Sequence, residues 1–454
     1  MFDPSDPALS AEPVPDGALP PVAPPALPLE AASRGRLGLL RHADFARLWT
    51  AETISQFGTQ ISLFAVPFTA ITFLDATPFQ VATLGTVEFL PFLLFTLPAG
   101  AWIDRLLRRP ILISGDLVRA VSLLTIPIAY ALGALTIWQL YVVGFVNGVA
   151  TVFFDGAYQS YLPALVENDD LIEGNAKLEV SRSAAQIAGQ PLAGGLVQVF
   201  AAPFTVLLDS LSYLGSAFFL WRIRKVEPAP QPSGPDGHPS IVSEVRTGLR
   251  YVLTHRYLRN IAACTGSSNL FGNMVFALFL LYAVRDLGLQ PAAIGLAGMF
   301  ASIGALLGAM TAVRIAARLG VGRTIVLSII VGSIGALLVP LAPPGNVAVV
   351  YLGVSGAIGA GTSVVYNVNQ VSLRQSITPD AMQGRMNATM RFLVWGTMPI
   401  GSMIGGILGS LIGVHETIWI GSILGLTTFL PVFFSPVRRL RRIADAQPGA
   451  ASAS

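Results

Sequence analysis

The sequence predicts an all-α membrane protein of twelve transmembrane helices arranged as two six-helix halves, and three observations carry that expectation. The first is composition: of 454 residues, 53% are hydrophobic and only 12% charged, with a mean hydropathy of +0.64, whereas a soluble domain carries about a quarter charged residues. The second is the alternation of long apolar runs, each long enough to cross a bilayer as a helix, with short charged loops. The third is the placement of the 28 Lys and Arg residues. Twelve spans with both termini cytoplasmic leave only Arg285 in or beside an outer loop, and the other 27 fall at the cytoplasmic side. Short cytoplasmic loops retain Lys and Arg, and no other parity of spans segregates them in this way.

Taken in order, residues 1–44 read as a disordered cytoplasmic tail. The first 33 are rich in Pro and Ala, with five acids and no Lys or Arg, so they lack the basic start and apolar core of a secretory signal. Residues 45–222 form a first half with apolar runs at 46–73, 79–102, 111–134, 137–160, 180–200 and 203–221. Residues 223–259 form a cytoplasmic linker with a Pro/Gly-rich centre from Pro228 to Pro239, and the spacing predicts a short amphipathic helix around Ile241 to Leu253. Residues 260–436 form a second half, with runs at 260–283, 292–316, 323–342, 346–370, 387–412 and 416–435; residues 437–454 are a basic cytoplasmic tail. A layout of two similar halves places a substrate site near the midplane between them.

The most charged short loop is Gly100-x-x-x-Asp104-Arg105-x-x-Arg108-Arg109, wedged between the second and third runs. Three arginines in so tight a loop fix it on the cytoplasmic face.

Polar residues inside the runs recur at helical spacing. Glu52, Gln56 and Gln60 are four apart in span 1, and Asn147, Thr151, Asp155 and Gln159 repeat the step in span 4. Thr265, Asn269 and Asn273 do so in span 7, and Thr362, Tyr366 and Gln370 in span 10. Residues four apart share one helix face, so every third span presents a wet stripe, as four helices around one aqueous cavity would. The alternative is a set of ordinary interhelical hydrogen bonds, worth about 0.6 kcal/mol each. Span 5 carries a further line of Arg182, Gln186, Gln190 and Gln198.

Intramembrane acids are confined to the first half, at Glu52, Glu88, Asp155 and Asp209, while the second half has only Glu416 at an outer edge. A charge at a helix centre costs about 2.5–3.5 kcal/mol on insertion scales, which marks such groups as functional candidates. Glu88 lies about 14 Å into span 2 at about 1.5 Å per residue, which makes it the deepest acid. It is read either as a proton carrier or as a structural hydrogen-bonding group. Glu52 and Asp209 are the other proton-coupling candidates, with a structural role favoured for Asp209.

Several classes are set aside. The only lysines, Lys177 and Lys225, are in no G-x-x-x-x-G-K-[ST] loop, so ATP hydrolysis by that route is excluded. The four histidines lie outside the spans or at their edges without ligand spacing, so no metal and no other cofactor is expected. The pI near 9.1 comes from arginines scattered over loops, which argues against nucleic acid. Cys264 reads as a small buried hydrophobe. Gly356-x-x-Gly359-x-Gly361 reads as close helix packing and not as a nucleotide loop.

The loop at Gly100, Asp104, Arg105, Arg108 and Arg109 resembles the cytoplasmic signature between spans 2 and 3 of the major facilitator superfamily, with Leu107 where that family often has Gly. Asp116-Leu117-Val118-Arg119, Leu162-Pro163-Ala164-Leu165-Val166, Asp209-Ser210-Leu211-Ser212-Tyr213 and Thr378-Pro379-Asp380 leading to Gly384-Arg385 are similar to the branch that includes macrolide and siderophore exporters. Pro191, Gly194 and Gly195 resemble the superfamily's antiporter motif, with Gln186 and Gln190 at two of its glycine positions. The resemblance implies the major facilitator fold, and it implies Asp104 near the start of the helix beginning about Asn387, with Arg391 close by.

The expected function is export of amphipathic small molecules by alternating access, driven by protons, by a monomer in the cell membrane. Small-solute uptake and a transport-dead sensor or assembly protein are the alternatives. The cavity candidates are Gln56, Gln60, Asn147, Thr151, Asp155, Asn269, Asn273, Tyr366 and Gln370.

Overall fold

The computed structural model describes residues 38–103, 106–167, 170–227 and 241–446. Both tails' outer parts, Asp104, Arg105 and the Pro/Gly-rich linker centre lie outside these. All regular structure among the described residues is helical. The first helix set comprises α1 (Ala43–Phe73), α2 (Pro78–Ile103), α3 (Arg108–Ala131), α4 (Ile137–Leu165), α5 (Leu171–Val199) and α6 (Ala202–Trp221). The amphipathic α7 (Ile241–Thr254) follows, and then a second set of α8 (Leu258–Arg285), α9 (Pro291–Leu319), α10 (Val321–Ala336) and α11 (Ala348–Ser376). The chain ends with α12 (Asp380–Trp395), α13 (Thr397–Leu411), α14 (Val414–Gly425) and α15 (Leu430–Phe433).

Each apolar run carries a helix, although the run at 416–435 is divided between α14 and α15, and two further differences are informative. The run at 387–412 is interrupted between α12 and α13, where Pro399 has no N–H for the preceding turn. The Val394 carbonyl there accepts from the Asn269 amide at 3.0 Å and the Thr397 hydroxyl at 2.8 Å. In addition, α5 begins at Leu171, earlier than the run at 180–200, because its first turns are polar. Among the described residues nine helical stretches are long and apolar enough to cross a membrane. Two long helices outside that group, α1 and α5, carry polar stripes, and α10 has only 16 residues.

Small residues set the closest approaches, as expected where lipid supplies no hydrophobic drive between helices. Within the second set, a Cβ on Gly308 of α9 would lie 2.3 Å from the Gly361 carbonyl of α11, so the Gly356–Gly361 stretch packs against α9. The two sets meet along two seams, α5 against α9 and α2 against α13. Gly194 and Gly295 face each other's helices across the first seam. At the second, the Phe79 N–H donates to Ser410 Oγ at 3.2 Å.

These contacts gather at the end of the bundle away from the chain ends. There one hydrophobic core contains residues of both sets, such as Phe64, Val81, Leu278 and Leu352. At the other end two separate cores form, one around Phe45, Leu112 and Tyr161 and another around Leu258, Ile325 and Met390. The sets are therefore joined at one end and part at the end that carries α7 and the chain ends.

Candidate functional site

The most concentrated buried polarity lies in the first set, where α1, α3, α4 and α6 meet. Asp116 and Arg119 stand three residues apart on one face of α3, are 0% and 5% exposed, and pair at 2.5 Å. The guanidinium lies 4.2 Å from the ring centroids of both Phe154 and Tyr213. Arg119 thus sits well inside α3 and not at the cytoplasmic edge where the count of basic residues places it. Asp209 on α6 is 1% exposed and accepts from the Ser212 hydroxyl at 3.0 Å. Gly58 lets α6 come this close, since a Cβ there would meet Asp209 Oδ1 at 2.3 Å. Glu52 on α1, 8% exposed, accepts from Gln56 at 2.7 Å, and its Oε2 has no partner. The half-buried Asp155 is within electrostatic reach of Arg119 and Arg182.

Most of the other stripe residues are engaged in packing and hydrogen bonds within the bundle. Gln60 lies against Gly189 of α5, and Asn147 donates to Ser122 of α3 at 2.8 Å. Thr151 is half-buried. Asn269 holds the α12–α13 break, and Asn273 donates to the Asn269 carbonyl at 2.9 Å. Tyr366 is buried, with its hydroxyl 2.6 Å from Thr265, and the buried Gln370 donates to Asn367 at 3.2 Å.

Glu88 stands apart from the cluster. Its side chain packs over Gly144 of α4, where a Cβ would come within 3.0 Å of its Cγ, and among the described residues its carboxylate forms no hydrogen bond or ion pair.

The signature loop is anchored by a residue that the sequence reading overlooks. Gly100 lies in α2, and Asp104 and Arg105 are outside the described residues. The Glu227 carboxylate accepts from the backbone N–H groups of Arg108 at 2.8 Å and Arg109 at 3.2 Å, and pairs with the Arg108 side chain at 3.1 Å. It thereby places negative charge on unsatisfied donors at the start of α3. Arg109 donates to the carbonyls of Leu220 and Trp221, the negative end of α6. No spacing in the chain signals Glu227, which lies 119 residues from Arg108. Arg391, expected near Asp104, is exposed and lies 5.0 Å from the Trp395 ring centroid. Asp116 and Arg119 were visible as a motif but not as a site, although i,i+3 spacing of opposite charges inside an apolar run is such a signal.

A bundle in two sets that share a core at one end and part at the other, with buried charge in one set, is a transporter's arrangement. The family model described as transmembrane secretion effector matches residues 35–450. The chain belongs to that family. It is a major facilitator transporter resembling efflux carriers, and not an enzyme. The multidrug efflux pump Tap of Mycolicibacterium fortuitum is 25% identical over 398 residues, covering 85% of this chain and 93% of that protein. Macrolide efflux protein A of Streptococcus pyogenes is 21% identical, with 82% and 91% covered. Among solved structures, a bacterial homologue of the iron transporter ferroportin superposes with a TM-score of 0.69 at 18% identity, covering 87% of this chain and 98% of that one. The nucleoside transporter NupG gives 0.70 at 12% identity, with 86% and 99% covered. These structures share the fold of this family member.

Proposed function

We propose that this transporter is a proton-driven exporter of amphipathic small molecules such as drugs, macrolide-like compounds or siderophore-like metabolites. It acts as a monomer in the cell membrane, with twelve spans in two six-helix halves and both termini cytoplasmic. The α12–α13 and α14–α15 pairs each count as one interrupted span, and α7 belongs to the linker. The observation that carries the reading is the division of the hydrophobic core, shared by both sets at one end and separate at the end of the chain termini. With the termini inside, the two sets part toward the cytoplasm, where an exporter loads its substrate. Seams of glycine and short polar side chains suit faces that must part when access alternates.

Efflux is further supported by relatives named for multidrug and macrolide efflux over most of their length. Protons are favoured as the coupling ion because acids inside the bundle are concentrated in the first set. The test is transport by proteoliposomes under an imposed pH gradient, with erythromycin and ethidium as probes. Uphill movement out of the compartment facing the termini, abolished when the gradient is collapsed, is expected. Accumulation in the opposite direction would replace export by uptake. Movement indifferent to the pH gradient would remove the proton assignment.

A further inference from the structure

Among the described residues Arg119 is the only buried arginine, about 16 Å into α3. Its guanidinium is packed against two aromatic rings, Phe154 of α4 and Tyr213 of α6, each with its centroid 4.2 Å away. Tyr213 is in turn tied to α1 by the 2.9 Å hydrogen bond between its hydroxyl and Thr59. A planar cation packed against two rings is restricted in orientation, and its N–H groups point outward in the plane of the guanidinium. One of these groups donates to Asp116 Oδ1, whereas Nε and Asp116 Oδ2 are buried without a partner.

Three more carboxylates face this one cation from the helices packed around it: Glu52 from α1, Asp155 from α4 and Asp209 from α6. Arg182 of α5 faces Asp155 but is exposed, so solvent screens it. Tyr158 of α4, near Glu52, brings a phenol and no positive charge. The hydrogen-bond donors to Asp209 and Glu52, Ser212 and Gln56, are neutral. Asp116, Asp209 and Glu52 are therefore three buried carboxylates matched by one buried arginine. An unmatched ion in such a place is penalised far more than a neutral acid, and binding a proton removes the penalty.

We propose that Asp116, Asp209 and Glu52 form one proton-holding site organised by Arg119, in which the guanidinium neutralises one carboxylate and protons neutralise the others. Arg119 is then a positioning residue that sets how many protons the site holds. That these are the protons exchanged for substrate rests on the exporter reading above; that the site holds them does not. Asp155, half-buried between Arg119 and the exposed Gln159 on the same face of α4, provides the approach from the termini end.

Infrared titration of the purified full-length protein in lipid reads the carbonyl stretch that only a protonated carboxyl gives, and needs no substrate. Charge balance predicts about one protonated carboxyl more in Arg119→Gln and about one fewer in Asp209→Asn. Asp116→Asn also loses about one, because the freed guanidinium then neutralises a second acid. The double variant Arg119→Gln/Asp116→Asn returns the native count, and it keeps the test standing if Arg119→Gln alone does not fold. A purely structural cluster would leave these counts unmoved, and a signal unchanged in Asp116→Asn and Asp209→Asn overturns the site. Transport of ethidium under a pH gradient is followed in parallel. Carboxyl counts that shift as expected in a protein that moves no ethidium support the site and count against the exporter reading alone.

Discussion

The seam between α5 and α9 provides the sharpest test of alternating access. A Cβ on Gly194 would lie 2.4 Å from the Pro291 carbonyl oxygen and 3.1 Å from Gly295 Cα, and a Cβ on Gly295 would lie 2.5 Å from the Gln190 carbonyl oxygen. All these neighbours are backbone, so no side chain can swing away, and the helices must separate by about 1 Å to restore van der Waals contact. Overpacking of this kind costs about 1–3 kcal/mol. The cost falls only on the conformation in which the seam is closed. Alanine's advantage over glycine inside a helix, about 1 kcal/mol, applies in both conformations and cancels between them. Gly194→Ala and Gly295→Ala should therefore fold, and each should shift the population away from the closed-seam state by about 5- to 150-fold. Spin labels at Trp138→Cys of α4 and Leu411→Cys of α13, which are 73% and 75% exposed near the seam end, read the opening as a new population at longer distance. The native Cys264 is buried and should not label. If both alanine variants leave the distance distribution unchanged, the seam is not a moving interface and the reasoning fails.

Three further outcomes are expected. Glu227→Gln removes the charge that serves the start of α3 and the Arg108 side chain, and should lower stability by about 1–2 kcal/mol; an unchanged thermal midpoint would show that the amide anchors the loop equally well. Asp75 and Arg285 pair across the sets at 2.6 Å, so joining an Asp75→Cys/Arg285→Cys double variant with a short bis-thiosulfonate cross-linker should stop turnover and reduction of the link should restore it; full transport in the cross-linked protein would mean that this end never opens. Glu88→Gln, whose parent carboxylate has no hydrogen-bond partner among the described residues, should leave uphill export within about twofold if the Arg119 cluster holds the coupling protons; loss of uphill export with counterflow retained would return the role to Glu88.

The periodicity of the chain made its helices legible, because a run of apolar residues between charged loops has only one way to satisfy its backbone in lipid. The amphipathic helix expected around Ile241 to Leu253 forms as Ile241–Thr254 for a different local reason, the recurrence of apolar residues on one helix face. Gly356 to Gly361 was likewise readable as a packing surface, although its partners, Ala301 and Gly304 of α9, were not. The sequence reads 387–412 as one run, and the interruption between α12 and α13 beside Pro399 emerged only in the structure. So did its repair by Asn269, 125 residues away from Val394.

The sequence by itself determined that this is a helical membrane protein with acids inside its first half, since hydropathy and charge placement are local properties of the chain. Spacing also fixed which residues share a helix face, so Asp116 with Arg119, and Glu52 with Gln56, are neighbours in any packing of these helices. Only the tertiary structure decided what each face meets. It placed Phe154 and Tyr213 against Arg119, brought Glu227 to the start of α3, and bound the Asn269 amide to a broken helix. The reason is that apolar helices are nearly indifferent to one another in lipid. Their neighbours are chosen by a few glycines that allow close approach and a few polar groups that need a partner, and those partners lie far along the chain.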